Sequence, residues 1–472
     1  MPGRTLFRGV RQLEPGNLAV IDDRGLRFVR YWDLNYPIAS ESDGDAIQAG
    51  TRSDAETKSM VDEFRDRLDA SVQTRVRGSC PVAAHLSGGV DSCSVLGSAV
   101  QSGSIGHAFT VAFPGSDGYD EQRLAEQVAG RFGVDWLNVD GRRQVLLDTL
   151  ANAIRYSEGW CVNGHLPAKF LLNQAIKSAG YRVVITGEGA DELLAGYPHL
   201  MVDHGRRRRR SKSLQRQHVA SSGIMLPCSP GLNLDSVERQ IGYVPTFLRA
   251  KASLGHLLQM HLRDDFLQTY RGRDPYDELI ASIATREQLS GRARIHQSTY
   301  LWAKSALSQY ILRTLGDGCE SAHGVEGRLP MLDHTLFDWV KCLPLDLLLR
   351  SRRPNSEDPA DYDAKWILRK AFESRLPREV AWRPKHPFVA PPLVAEAAAG
   401  NNSPDNAGVR DRLEAAMDSH PYFDPQKLRT TLEHTRHAEQ SLQVRTDPLW
   451  WTLLSSHAML SHCHSHSEPV PA

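Results

Sequence analysis

The chain is poor in the features that commit a sequence to an oxidising compartment, a bilayer or a polyanionic partner. Its seven cysteines (Cys80, Cys93, Cys161, Cys228, Cys319, Cys342 and Cys463) are odd in number, scattered over 472 residues and never spaced C-x-x-C. Such spacing supports neither a disulfide framework nor a zinc site and suits a reducing cytosol. No apolar run nears the ~20 residues that span a bilayer. The opening Met1-Pro2-Gly3-Arg4-Thr5-Leu6 lacks the apolar core of a secretory signal. Net charge is missing as well: 56 basic side chains balance 56 acidic ones, which gives no general attraction to nucleic acid or to an acidic membrane. These absences point to a soluble, cytoplasmic protein that binds neither. Its length and 41% hydrophobic content allow one large domain or two to three smaller ones.

What is present falls into three stretches. Residues 4–33 read as short strands, clearest at Leu18–Ile21 and Leu26–Tyr31 around an Asp22-Asp23-Arg24-Gly25 turn. Polar, Gly/Ser/Asp-rich residues follow, so 39–54 reads as a linker between a segment 1–38 and a main domain 55–465. Ser53-Asp54-Ala55-Glu56 forms a capping box, with Met60, Phe64, Leu68, Val72 and Val76 at helical spacing behind it. Strands at Val82–Leu86, Phe109–Phe113, Trp136–Val139 and Arg182–Thr186 then alternate with helices at Glu121–Phe132 and Pro167–Ala179. That alternation predicts an α/β fold with a mostly parallel sheet. After about residue 197 strand signals fade, and the remainder reads as helices and polar loops. The five arginines Arg206–Arg210 read as a solvated loop rather than a phosphate grip. The tail residues His457, His462, Cys463, His464 and His466 read as a disordered terminus rather than a metal site.

Two glycine motifs carry chemistry. Ser87-Gly88-Gly89-Val90-Asp91-Ser92 directly follows the Val82–Leu86 strand and opens a helix. Its glycines let backbone approach a phosphate, its N–H groups face an anion at the helix start, and its serines add hydroxyls. Asp91 can hold magnesium there. The Lys of a Walker A loop is absent. Gly187-Glu188-Gly189-Ala190-Asp191-Glu192 follows the Arg182–Thr186 strand and lacks the third glycine of a dinucleotide fingerprint. Three carboxylates in five residues call for a counter-charge, which a magnesium nucleotide supplies.

The first motif resembles the pyrophosphate loop of enzymes that cleave ATP to AMP and pyrophosphate. The second resembles the Gly-Glu-Gly-x-Asp-Glu signature of asparagine synthetases. Gly324-Val325-Glu326-Gly327-Arg328-Leu329-Pro330-Met331-Leu332-Asp333 is similar to that family's Ser-Val-Glu-x-Arg-x-Pro-Phe-Leu-Asp segment. Lys365-Trp366-Ile367-Leu368-Arg369 and Arg383-Pro384-Lys385-His386-Pro387-Phe388 resemble its lysine motifs. The resemblance covers about residues 55–460. It implies an ATP-pyrophosphatase-type sheet with a helical C-terminal part. It also implies an enzyme that adenylates a carboxylate with ATP and Mg2+ and passes the acyl group to an amine or ammonia. By the same resemblance the nucleotide lies along Leu86, Ser87, Gly88, Gly89, Asp91 and Ser92, with Val111 and Phe113 near adenine and Gly187 and Lys365 touching it. Asp91 and Asp191 take the metal, and Lys385 neutralises developing charge. Glu188 or Glu326 takes the amine proton, the latter paired with Tyr300.

The N-terminal segment resembles only the last strands of the family's glutaminase domain. Residue 2 is Pro rather than the nucleophilic Cys, and no cysteine precedes Cys80. The expectation is a synthetase without glutaminase activity of its own. Its nitrogen would be free ammonia, ammonia from a separate chain, or a substrate amine, as in β-lactam synthetases and lasso-peptide cyclases. The segment Ser157–His165 does not look like an aspartate pocket. A non-catalytic partner subunit is the alternative of another class. Oligomeric state is open between monomer and homo-oligomer.

Overall fold

The computed structural model describes residues 2–39, 52–103, 105–116, 118–205, 232–283, 285–353, 361–394, 404–436 and 438–466. Most of the expected linker and the Arg206–Arg210 run lie outside them. Two short strands, β1 (Asn17–Asp22) and β2 (Gly25–Arg30), pair antiparallel as a hairpin apart from the main sheet. Helix α1 (Asp54–Val76) starts with the predicted capping box. The Glu56 N–H donates to Ser53 Oγ at 3.2 Å, and the Ser53 N–H donates to Glu56 Oε2 at 2.8 Å.

The centre of the molecule is a five-stranded sheet of β3 (Val82–His85), β4 (Ile105–Ala112), β5 (Asp135–Asp140), β6 (Val183–Ile185) and β7 (Glu326–Arg328). Every pairing is parallel, in the order β5-β4-β3-β6-β7. Side chains alternate across each strand and build a separate core on each face. Val82, Ala84, Ala108, Val183 and Ile185 join one buried cluster with α1, α2 (Val90–Val100) and α3 (Gln122–Phe132). Ala83, Phe109, Val111 and Val184 join the other with α4 (Arg143–Ser157), α5 (His165–Ser178) and the long C-terminal helix Gln440–His466.

Strand order reverses beside β3: the chain leaves β3 toward β4 on one side, and leaves β6 toward β7 on the other. The crevice at the carboxyl ends of β3 and β6 is therefore the switch point, where open α/β sheets take their ligands.

Two expectations are corrected. Strands do occur after residue 197: β7 completes the sheet, and β8 (Leu349–Ser351) pairs antiparallel with β9 (Tyr362–Ala364). The histidine-rich tail is not disordered, because the last helix runs to His466 on the strength of the buried Leu449, Trp450, Trp451 and Leu453. Among the described residues, no helix is long and apolar enough to cross a membrane.

Candidate active site

Both glycine motifs open at the switch point. After β3 the chain turns through Gly88 at φ +72°, a left-handed conformation where a side chain is strained, and enters α2 at Val90. The turn is tied to itself. The Ser87 N–H donates to Ser92 Oγ at 3.1 Å, Ser92 Oγ donates to the Gly89 carbonyl at 3.3 Å, and the Gly89 N–H reaches Ser87 Oγ at 3.4 Å. The first turn of α2, whose N-cap makes no side-chain hydrogen bond, borders the crevice through Asp91 and Ser92, the kind of helix start that suits an anion. The loop after β6 packs against it so closely that a Cβ on Gly187 would lie 2.6 Å from the Ser92 nitrogen.

Behind the loops sit two carboxylates and two ammonium groups. Lys365 Nζ is 2.5 Å from Asp91 Oδ2 and 2.6 Å from Asp191 Oδ1; Lys385 Nζ is 2.6 Å from Asp191 Oδ2 and 3.7 Å from Asp91 Oδ2. Burial by itself would push the Asp191 carboxyl up, but Lys365 and Lys385 beside it hold it at about 2. The same carboxylates hold the Lys385 ammonium above its ordinary range against burial. Lys365 is only 1% exposed and has φ +55°, a strained value for a residue with a side chain. Next door, burial and the Asp191 charge push the Glu192 carboxyl up to about 7, while its Oε1 accepts from Tyr197 Oη and Trp302 Nε1, both at 2.9 Å.

A magnesium ion keeps one or two protein carboxylates and takes its other ligands from water and phosphate. Asp91 and Asp191 fit that demand: they converge on the same lysines, and Asp91 Oδ1 is buried with no hydrogen-bond partner. Among the described residues, no group of three or more His, Cys, Asp or Glu side chains forms a dedicated metal cage.

The crevice widens into an open cleft. Leu86, Val111 and Phe113 line its apolar end; Ser87, Asp91, Ser92, Gly187, Asp191 and Lys385 line its polar end, with Glu188 along the wall. Gly88 and Gly89 shape the turn without lining the cleft, and Lys365 lies beneath it. The structure does not bring the other two candidates there. Glu326 begins β7 opposite Val183, at the amino ends of the strands; its side chain is 64% exposed and pairs with Arg328 at 2.8 Å. Tyr300 is buried elsewhere, its hydroxyl donating to Asp33 Oδ2 at 3.1 Å.

Three residues of the cleft region escape a motif reading. Glu121, pushed up to about 7 by burial against the pull of Arg383 and Lys385, lines the cleft beside α3. Lys169 on α5 is 4% exposed and stands 3.4 Å from Glu188 Oε1. Glu320 is buried behind it. Lys169 left one signal: it shares the helical spacing of the buried Leu166, Asn173 and Ile176.

Residues 63–465 match the asparagine synthase family. "Amidase chyE" of Penicillium rubens is 28% identical over 422 residues, covering 82% of this chain and 59% of that protein. "Amidase chry2" of Gibberella zeae is 28% identical over 421 residues with the same coverage. "Asparagine synthetase [glutamine-hydrolyzing] 1" of Bacillus subtilis is 24% identical over 392 residues, 82% of this chain and 56% of that protein. The chain thus spans somewhat over half the length of these relatives. With its glycine-rich loop, its acidic loop and its two lysines converging at one switch point, and with the family match running over most of its length, the chain belongs to the asparagine synthase family.

Proposed function

We propose that the protein is an ATP-dependent, AMP- and pyrophosphate-forming amide ligase that adenylates a carboxylate and couples it to an amine or ammonia. The observation that carries this reading is the Asp91–Lys365–Asp191–Lys385 cluster directly under two loops fit for phosphate. The nucleotide phosphates lie on the α2 N-terminus, and Leu86, Val111 and Phe113 offer the base an apolar wall. Asp91 and Asp191 would hold magnesium, which neutralises phosphate charge when bound.

A substrate carboxylate oxygen attacks the α-phosphorus, the bond to the bridging oxygen of pyrophosphate breaks, and pyrophosphate leaves. The amine nitrogen then attacks the acyl carbon, the bond from that carbon to the phosphate oxygen breaks, and AMP leaves. Glu188 takes the proton the nitrogen sheds. Lys365 and Lys385 turn from the aspartates toward phosphate oxygens as negative charge moves onto pyrophosphate. Positioning and charge neutralisation supply most of the acceleration.

The test is acid-dependent exchange of radiolabelled pyrophosphate into ATP, with magnesium and a panel of carboxylic acids. Asp191→Asn is expected to lower exchange by about 100-fold or more. If aspartate alone supports exchange, the enzyme is an ammonia-dependent asparagine synthetase; if only a larger amino acid or peptide does, it is a specialised ligase or cyclase. A protein that binds no ATP would be a non-catalytic relative, and the reading would fail.

A further inference from the structure

Lys169 lines the cleft beside Glu188, and further charged side chains gather behind it. Lys169 enters from α5 with Nζ 3.4 Å from Glu188 Oε1. It also feels Glu320, while Asp317 in turn feels Lys169. Glu320 is 5% exposed and its carboxylate lies against the Gly327 backbone. Its carboxylate occupies the volume that a side chain at 327 would need, since a Cβ there would overlap both carboxylate oxygens. A glycine inside a strand weakens it and marks a close approach. Gly327, the middle residue of β7, is accounted for by Glu320.

We infer that Glu320, seated in the gap left by Gly327, and Lys169 form a positioning relay that holds Glu188 at the cleft as the acceptor of the proton shed by the attacking amine. The inference rests on the adenylating reading and adds two residues to it. Lys169 is poorly suited to gripping a substrate carboxylate, because Glu188, Glu320 and Asp317 already surround it and leave the group net negative. Nor does it suit the acceptor's part. Burial opposes its charge, but the carboxylates outweigh burial and keep the ammonium protonated. The histidines and the cysteine beside Lys169 are silent near neutrality. Burial and the Lys169 charge push His85 down to about 3, burial and the lysines push His165 down to about 3, and burial pushes Cys319 up to about 12. Of the ion pair, Glu188 is the partner that reaches into the open, its side chain 38% exposed against 6% for Lys169.

The signature is a loss confined to the second half-reaction. Lys169→Met removes the cation paired with Glu188, so amide formation falls while pyrophosphate exchange holds. Glu320→Gln and Gly327→Ala disturb the seat behind Lys169 and act in the same direction. The assay uses the acid that supports pyrophosphate exchange in the wild type, with ammonium chloride and hydroxylamine as amines. Amide formation in Glu320→Gln and Gly327→Ala should fall by about tenfold or more, with exchange within about twofold of the wild type. A substrate-free measurement accompanies it: in protein labelled with 13Cε-lysine, the Lys169 resonance, identified by its loss in Lys169→Met, should titrate at lower pH in Glu320→Gln than in the wild type. Undiminished amide formation in Glu320→Gln, or a Lys169 titration indifferent to Glu320→Gln, overturns the relay while leaving adenylation standing. Wild-type protein that exchanges with no acid and binds no ATP sinks adenylation itself.

Discussion

Lys365 ties Asp91 to Asp191, and its buried, left-handed backbone is held by the ion pairs it makes. Replacing it by Met leaves two neighbouring carboxylates sharing Lys385 alone, which should destabilise the fold by about 3–5 kcal/mol, the usual result of removing one partner of a buried pair. A divalent cation can replace the lost charge. Magnesium chloride should therefore raise the unfolding midpoint of Lys365→Met more than that of the wild type; equal responses would count against the two aspartates as magnesium ligands. Glu192 gives a pH-dependent counterpart. Its carboxyl titrates at about 7 instead of its ordinary 4.5, so the native state holds a proton that the unfolded chain releases between those values. Stability must fall as pH rises through that window. Glu192→Gln keeps the acceptor for Tyr197 and Trp302 and removes the titration. The variant should match the wild type near pH 4.5 and melt higher at pH 8, by on the order of 1–3 °C. Asp91 and Asp191 were legible in the sequence because a motif after a strand fixes where its side chains emerge; Lys385, in the loop after the short helix Arg378–Ala381, was reached only through the resemblance of its motif. Glu326 was not, because a motif does not say at which end of its strand a residue falls.

The elements were readable where several local signals agreed. Ser53 and Glu56 announce α1, and the two strands that carry the motifs, β3 and β6, are short, mostly apolar runs with a glycine within three residues of their ends. Ser53→Ala should cost about 1 kcal/mol, as an N-cap loss does; a urea midpoint unchanged by the substitution would mean that α1 is held by packing alone. β7 was unreadable because Glu326-Gly327-Arg328 has no apolar residue. It is recruited by backbone bonds, the Thr186 N–H donating to the Arg328 carbonyl at 3.0 Å and the Glu326 N–H to the Arg182 carbonyl at 2.8 Å. The segment Ala303–Asp317 was equally opaque: it takes a wide π-helical course that no periodicity announces, and such courses often lie at functional sites. It ends at Asp317, one of the carboxylates around Lys169, so an irregular element supplies what the regular sheet cannot reach.

Across the whole molecule, the N-terminal segment is fastened by its last residues rather than by its hairpin. In the hairpin Ile21 is 80% and Phe28 55% exposed. Asp33, by contrast, is buried; it accepts from Tyr300 at 3.1 Å and pairs with Lys304 at 3.4 Å, on the helical stretch that leads to Asp317. Tyr36 stacks on His296 with ring centroids 4.5 Å apart and meets Phe337 edge-on, while Arg292 Nε donates to its carbonyl at 2.9 Å. This gives Tyr300 a structural part in place of a catalytic one. Tyr36→Ala should therefore cost about 3–5 kcal/mol, as for a buried aromatic, whereas Phe28→Ala should stay within about 0.5 kcal/mol as a surface change. Tyr300→Phe should leave pyrophosphate exchange within about twofold of the wild type while lowering the melting midpoint, since it leaves buried Asp33 one donor short. A large loss of exchange at an unchanged midpoint would return Tyr300 to the chemistry and make the Asp33 bond incidental.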